Sequence, residues 1–244
     1  MRKKYSRSFS SLACGFLPTS NSTSSFSKRL TRSLYEHETG TFGRRLLLVI
    51  LPTIVVLRAV AMRPKGAWPV LWVGVTLLHV VVAVLLVCRT RASGPLRAQD
   101  LLVPLPSVVL SGALVGRAPP VVNWPYWLVA VFVLGTIITL TALVRLGRSF
   151  GIAPAYRCLV TTGPFSIIRH PAYAGEMLMA VACAIAVCFD SSRESTAWTS
   201  VLLVALLVPT VIWRVVREER SMGIDPLWWS YVAVTRYRLL PLVW

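Results

Sequence analysis

The sequence predicts an all-α integral membrane protein with about six transmembrane helices. Of its 244 residues, 55% are hydrophobic and only 14% are charged. The mean hydropathy is +0.66, and several apolar runs approach the ~20 residues that a helix needs to cross a bilayer. This composition excludes an ordinary soluble domain.

Two regions of the chain differ in composition. Residues 1–45 are basic and rich in Ser, with no acidic residue before Glu36. Such a segment lacks the apolar residues for a core and is predicted to be disordered. An organelle transit peptide or a mis-chosen start codon are the alternatives. Residues 46–244 are predicted to form one membrane domain.

Each apolar run in that domain predicts one span. The runs are residues 46–62, 68–88, 100–116, 124–146, 173–189 and 196–213. Two prolines, Pro104 and Pro106, interrupt the short third run, so a re-entrant or tilted helix is an alternative there.

The positive charges predict the orientation. An even number of spans places both termini on one side, and most of the 26 Lys and Arg residues fall in the segments on that side. The positive-inside rule therefore predicts cytoplasmic termini and a cytoplasmic loop at residues 145–172. Because the charge is spread over the leader and loops, anionic lipid is a better predicted partner than nucleic acid.

The five cysteines carry no metal or disulfide pattern. Their number is odd and no pair has CxxC spacing. They are Cys14, Cys88, Cys158, Cys183 and Cys188. We interpret them as small hydrophobic residues and predict no metal site.

The most informative stretch runs from Arg157 to Glu176 and reads RCLVTTGPFSIIRHPAYAGE. Two prolines fix the backbone of a short segment in which Phe165 supplies an aromatic face and Arg169 and His170 supply hydrogen-bond donors. The start of the fifth predicted helix follows, where backbone N–H groups favour an anion. The pattern predicts an anion-binding corner at the membrane interface; a basic juxtamembrane loop is the alternative.

A second cluster, WRVVREERSM, follows the sixth predicted span. Arg214 and Glu218 stand at i and i+4 there, which a helix salt bridge would explain. Arg214 nevertheless lies at the end of a membrane helix, where a functional role is the stronger interpretation. Glu176, inside the fifth span, needs a partner, for which Arg169 or a cationic ligand is the candidate.

At these residues the chain resembles bacterial members of the isoprenylcysteine carboxyl methyltransferase and phospholipid methyltransferase superfamily. The resemblance covers residues 145–244 and is carried by four motifs. They are LVTTGPF at 159–165, RHPAYAG at 169–175, REERSM at 217–222, and Tyr231 followed by RYRLLP at 236–241. It implies a membrane enzyme that uses S-adenosylmethionine, with a catalytic part at 145–244 and a cytoplasmic cofactor pocket near the C-terminus.

The resemblance also implies individual roles. The residues that fall on cofactor contacts are Arg157, Cys158, Leu159, Val160, Phe165, His170, Pro171, Ala172, Tyr173 and Glu218. Arg214 falls on an arginine assigned to the substrate. The sequence departs from eukaryotic members, which often have His at position 157 and usually Tyr at position 165.

The chemistry of such a transfer needs mainly alignment, because a sulfonium activates its methyl group and a carboxylate is already ionised at neutral pH. We therefore predict that Arg214 orients an acceptor carboxylate, with Glu218 and Arg169 as the other catalytic candidates. Glu219 and Glu176 are the predicted acids on the substrate side, and would have to supply a base for an amine or thiol acceptor.

Several functions stay open from the sequence. Carboxyl methylation of an isoprenylcysteine-like or other lipophilic acceptor leads, with phospholipid N-methylation or thiol S-methylation as the nearest alternatives. NADPH-dependent sterol reductases also carry an RHP-x-Y-x-GE segment, although LVTTGPF and REERSM fit the methyltransferases better. A membrane scaffold without enzymatic activity is the remaining alternative.

Overall fold

The computed structural model describes residues 70–88, 102–151, 159–190 and 194–244, and those ranges contain helices and turns but no strand. Six α-helices follow one another within them. They are α1 (Val70–Cys88), α2 (Leu105–Arg117), α3 (Tyr126–Leu146), α4 (Pro171–Phe189), α5 (Glu194–Met222) and α6 (Pro226–Val234). Short 3₁₀ turns lie at Val121–Asn123, Gly147–Ser149 and Gly163–Ser166.

Three of the described helical segments are long and apolar enough to cross a membrane. They are Tyr126–Ser149, Pro171–Phe189 and Ala197–Met222. The apolar segments Leu71–Leu86 and Leu105–Arg117 are shorter. The described residues are therefore all-helical with three candidate membrane spans, as the predicted class requires, whereas six spans, a cytoplasmic pocket and the orientation of the termini stay predictions. The first predicted span, 46–62, lies outside the described residues.

The last long helix, α5, extends beyond the sixth predicted span. That span is 196–213, and α5 continues to Met222, which confirms the prediction that Arg214 and Glu218 stand at i and i+4 on one helix. A helix is maintained by its own backbone hydrogen bonds, so charge ends the apolar run without ending the helix. Arg214, Glu218 and Glu219 therefore lie on one continuous helix.

The helix α4 begins at Pro171, whose fixed φ suits the first turn of a helix and whose missing N–H is not needed there. The preceding residue, His170, has a non-helical backbone with φ −126° and ψ 60°. This abrupt start places His170 just before the helix and Tyr173 within its first turn.

Small residues bring α3 and α4 into close contact, as is common between membrane helices. A Cβ atom added at Gly175 would lie 2.5 Å from the carbonyl oxygen of Gly135 and 2.9 Å from the backbone nitrogen of Thr139. Phe132 and Cys183 are buried in the same core cluster, to which α1, α2 and α5 also contribute.

We expect Gly175→Ala to force α3 and α4 apart, because the added methyl group would contact backbone atoms that cannot rotate away. Overpacking of this kind costs about 1–3 kcal/mol. Thermal unfolding in detergent should show a lower midpoint for this variant. Gly116→Ala is the matched control, because a Cβ there would meet nothing within 4 Å; equal midpoints for the two variants would contradict the expectation.

Candidate active site

A cavity lies where α4 begins, beside the last turns of α5 and the helix α6. The space between its lining residues, open solvent included, is about 790 Å³. Nine of the predicted site residues line it. They are Leu159, Val160, Phe165, Arg169, His170, Ala172, Tyr173, Arg214 and Glu218.

The remaining predicted residues lie elsewhere. Pro171 is buried in the first turn of α4, and Glu176 and Glu219 are not among the residues that line the cavity. Arg157 and Cys158 lie outside the described residues.

The cavity also has lining residues that sequence reasoning did not assign to it. They are Leu146, Ser149, Phe150, Gly151, Met222, Trp228 and Tyr231. Met222 and Tyr231 each belong to one of the four motifs, so both carried a signal. The other five are apolar or small residues that no motif marks.

Arg214 is the cation at the inner wall of the cavity. Its side chain is buried, and its guanidinium carbon lies 4.5 Å from the centre of the Tyr173 ring. Nη1 donates a hydrogen bond of 3.2 Å to Ser107 Oγ on α2. Nε is buried and has no hydrogen-bond partner among the described residues. A buried donor without a partner is costly, so this atom is available to a ligand.

Glu218 and Tyr173 connect α5 to α4. The Tyr173 hydroxyl donates a hydrogen bond of 2.7 Å to Glu218 Oε2. The same carboxylate oxygen lies 3.7 Å from His170 Nδ1, and the rings of His170 and Tyr173 stack with centroids 5.6 Å apart. An acid, an imidazole and a phenol thus form one rigid group on the cavity wall.

Glu219, the next residue of α5, faces a different set of groups. Oε1 lies 2.9 Å from Arg169 Nη1 and 3.2 Å from His170 Nε2. Oε2 accepts a hydrogen bond of 2.9 Å from Arg238 Nε. Burial lowers the pKa of the Arg169 guanidinium, and the charge of Glu219 opposes that shift. Both oxygens are therefore engaged with cationic side chains, and this arrangement favours a positioning role.

The segment after α6 is attached to the start of α4 by its backbone. Arg169 and His170 donate their N–H groups to the carbonyls of Tyr237 and Arg238, each at 2.9 Å. Arg169 Nη2 adds a bond of 2.9 Å to the Arg236 carbonyl. We call residues 236–238 the strap. Because the strap and Glu219 hold the same two residues, the RHP turn is fixed from two sides.

The described contacts correct one prediction. Arg169 was proposed as the partner of Glu176, but Arg169 pairs with Glu219. Glu176 instead accepts a hydrogen bond of 2.8 Å from Ser111 Oγ on α2 and interacts electrostatically with Arg214. The reason is the abrupt start of α4, which leaves Arg169 before the helix while Glu176 lies a turn and more inside it.

Residues 128–224 match the isoprenylcysteine carboxyl methyltransferase (ICMT) family. The match spans 97 of the 244 residues, so this region of the chain is similar to that family. The ICMT match covers most of α3 and all of α4 and α5, and hence the RHPAYAG and REERSM motifs. Searches of curated proteins and of solved structures find no match to the chain. The helix α2 and the strap lie outside the ICMT match, although both contact residues within it.

Proposed function

We propose that this chain is a membrane-embedded, S-adenosylmethionine-dependent methyltransferase that methylates the carboxylate of a lipophilic, isoprenylcysteine-like acceptor. The ICMT match supports a membrane methyltransferase. The observation that supports a carboxylate acceptor is Arg214, a buried guanidinium at the cavity wall with an unpartnered Nε. Arginine in such a position is suited to bind and orient a carboxylate.

The residues of the cavity fit S-adenosylmethionine. Phe165 and Trp228 supply aromatic walls, and Leu159 and Val160 supply apolar ones. Glu218 supplies negative charge, which suits the positive charge of a sulfonium or an ammonium group. In the proposal, these residues and His170 hold the cofactor, as the family resemblance implies.

S-adenosylmethionine, when bound, would supply a methyl group on a sulfonium sulfur. An acceptor carboxylate oxygen would take up that methyl group while the electron pair of the carbon–sulfur bond stays on sulfur, so no proton would have to move. The chain itself needs no strong base for this reaction. Arg214 orients the carboxylate, Tyr173 supports the guanidinium face, and Glu218 fixes Tyr173. Catalysis is then mainly alignment.

The proposal also covers location and partners. The basic residues before α4 and around the strap favour a cavity on the cytoplasmic side, with both termini in the cytoplasm. The acceptor is a lipophilic small molecule or a prenylated protein that reaches the site from the bilayer. No role for nucleic acid follows from this arrangement.

Calorimetric titration of the detergent-purified protein tests the cofactor. We expect the wild type to bind S-adenosylmethionine and its demethylated product. His170→Ala and Glu218→Ala should each weaken this binding about tenfold, because each removes a hydrogen bond that involves a charged group. Ser221→Ala, on α5 but outside the cavity lining, should bind as the wild type does.

A folded wild type that does not bind S-adenosylmethionine would contradict the proposal. NADPH is titrated in parallel. Binding of NADPH but not of S-adenosylmethionine would indicate a sterol-reductase-like enzyme instead. Binding of S-adenosylmethionine with transfer only to amines or thiols would keep the methyltransferase and replace the acceptor. Glu176 would then be the candidate base, because Glu219 is engaged with Arg169, His170 and Arg238.

A further inference from the structure

Residues 239–244 form a closed turn directly after the strap, and we call them the closing turn. Three successive N–H groups, beginning with that of Arg238, donate to the backbone oxygen of Trp244 at 2.8, 3.0 and 3.3 Å. The N–H of Trp244 donates in return to the Leu240 carbonyl at 3.2 Å. The backbone of the closing turn thus brings Trp244 back to Arg238.

The Trp244 side chain connects the helical core to a charged residue of the strap. Its ring is partly buried and packs against the core cluster that contains Phe132 and Cys183. The guanidinium carbon of Arg238 lies 4.9 Å from the centre of the same ring, which is the geometry of a cation–π contact. The ring and the backbone oxygen of Trp244 therefore hold the same arginine.

Arg238 in turn contacts His170 by two routes. The Arg238 carbonyl accepts the His170 N–H at 2.9 Å. Arg238 Nε donates to Glu219 Oε2 at 2.9 Å, and Glu219 Oε1 lies 3.2 Å from His170 Nε2. The position of Arg238 therefore affects both the backbone and the ring of His170, which lines the cavity.

The ion pair between Arg238 and Glu219 needs a further contact to keep the arginine in place. The Arg238 side chain is one-third exposed, and an ion pair of this kind contributes little because solvent screens it and a long side chain loses rotamer freedom in forming it. The ring of Trp244 supplies a flat, fixed surface for the guanidinium. Trp244 itself lies outside both the cavity lining and the ICMT match.

We infer that Trp244 is a positioning residue for the cofactor site, whose ring holds the Arg238 guanidinium against Glu219 so that Arg238 fixes His170. The inference rests on the proposed function, in which His170 helps to hold S-adenosylmethionine. Trp244 touches neither the cofactor nor the acceptor in this arrangement. Loss of its ring should therefore weaken cofactor binding and leave the transfer step unchanged.

The test replaces the ring in the whole chain, purified in detergent. Trp244→Met keeps apolar volume for the core but has no aromatic face. We expect it to weaken the binding of S-adenosylmethionine about fivefold in calorimetric titrations, the factor that a partly exposed cation–π contact supplies. Trp244→Phe keeps a smaller aromatic face and should restore most of the affinity. Trp198→Met is the matched control, because Trp198 is 79% exposed near the start of α5, and it should bind as the wild type does.

A double-mutant cycle with Arg238→Gln shows whether the ring acts through the arginine. Arg238→Gln keeps the backbone carbonyl that accepts the His170 N–H and removes the guanidinium. It should weaken binding at least as much as Trp244→Met, and adding Trp244→Met to it should have no further effect. With S-farnesylcysteine as the acceptor, Trp244→Met should raise the KM for S-adenosylmethionine and leave kcat at its wild-type value.

Hydrogen exchange separates failure of this inference from failure of the proposed function. In the cofactor-free protein, the peptide that contains His170 should exchange several-fold faster in Trp244→Met than in the wild type, because the His170 N–H loses a fixed acceptor. Unchanged exchange, wild-type affinity in Trp244→Met or in Arg238→Gln, or additive effects in the double variant would each overturn the inference. A folded wild type that binds no S-adenosylmethionine would overturn the proposed function, and hydrogen exchange alone would then decide whether Trp244 positions His170.

Discussion

Arg214→Lys is expected to lower kcat/KM for a carboxylate acceptor by about 100-fold or more, although the positive charge is retained. A lysine has no planar fork for a carboxylate and no flat face to lie on the Tyr173 ring. It would also alter the contact with Ser107 Oγ. Loss of about 3 kcal/mol of alignment corresponds to a factor of this size.

Initial rates of methyl transfer to S-farnesylcysteine, at several concentrations of acceptor, measure the effect. The fall should appear in kcat and in the KM for the acceptor. The affinity for S-adenosylmethionine should change much less. Arg220→Lys is the matched control, because Arg220 is exposed on the same helix and should keep wild-type rates. Unchanged turnover in Arg214→Lys would contradict the role that we propose for this side chain.

The sequence predicted most of the site because its residues occur in short motifs, with Arg214 just before REERSM. RHPAYAG and REERSM are far apart in the chain, and the structure brings them together at the bond between Tyr173 and Glu218. The cavity is lined by nine of the residues that the sequence reasoning singled out. The motifs could be recognised because they resemble those of a known family, and RHPAYAG also carries the proline that begins α4.

The role of α2 could not be predicted in the same way. Ser107 and Ser111 lie in an apolar run interrupted by prolines, and a serine in a membrane helix usually bonds to a carbonyl of its own helix. Both serines do so here, in addition to their contacts with Arg214 and Glu176. Only the packing of three helices shows that these hydroxyls also contact the two charged residues.

The partners of Glu219 were equally hidden. Successive residues of a helix point in directions about 100° apart, so Glu218 and Glu219 contact different neighbours. The sequence assigned Glu219 to the substrate side, whereas its described contacts are Arg169, His170 and Arg238. Finding these contacts required knowing that α5 continues past its apolar run and that the strap returns to the start of α4.

Those contacts make Glu219→Ala the variant with the largest expected effect on stability. The Glu219 and Arg169 side chains are only 11% and 7% exposed, and removing the acid leaves the buried guanidinium without its carboxylate. Breaking a buried pair from one side costs about 3–5 kcal/mol. Arg238 is one-third exposed and contributes less, because solvent screens its charge.

Thermal unfolding in detergent should therefore show a midpoint lower by roughly 10 °C, at about 2–4 °C per kcal/mol for a chain of this size. The comparison is Asp225→Ala, which removes an acid whose Oδ1 caps α6 through the Leu227 N–H and should cost only about 1 kcal/mol. Because Glu219 also fixes His170, the affinity for S-adenosylmethionine should fall even at temperatures where the variant is folded.

A Glu219→Ala variant that unfolds no earlier than Asp225→Ala would show that the strap alone holds the RHP turn. If the variant has normal stability but no longer binds the acceptor, the prediction that Glu219 lies on the substrate side of the site would be supported instead.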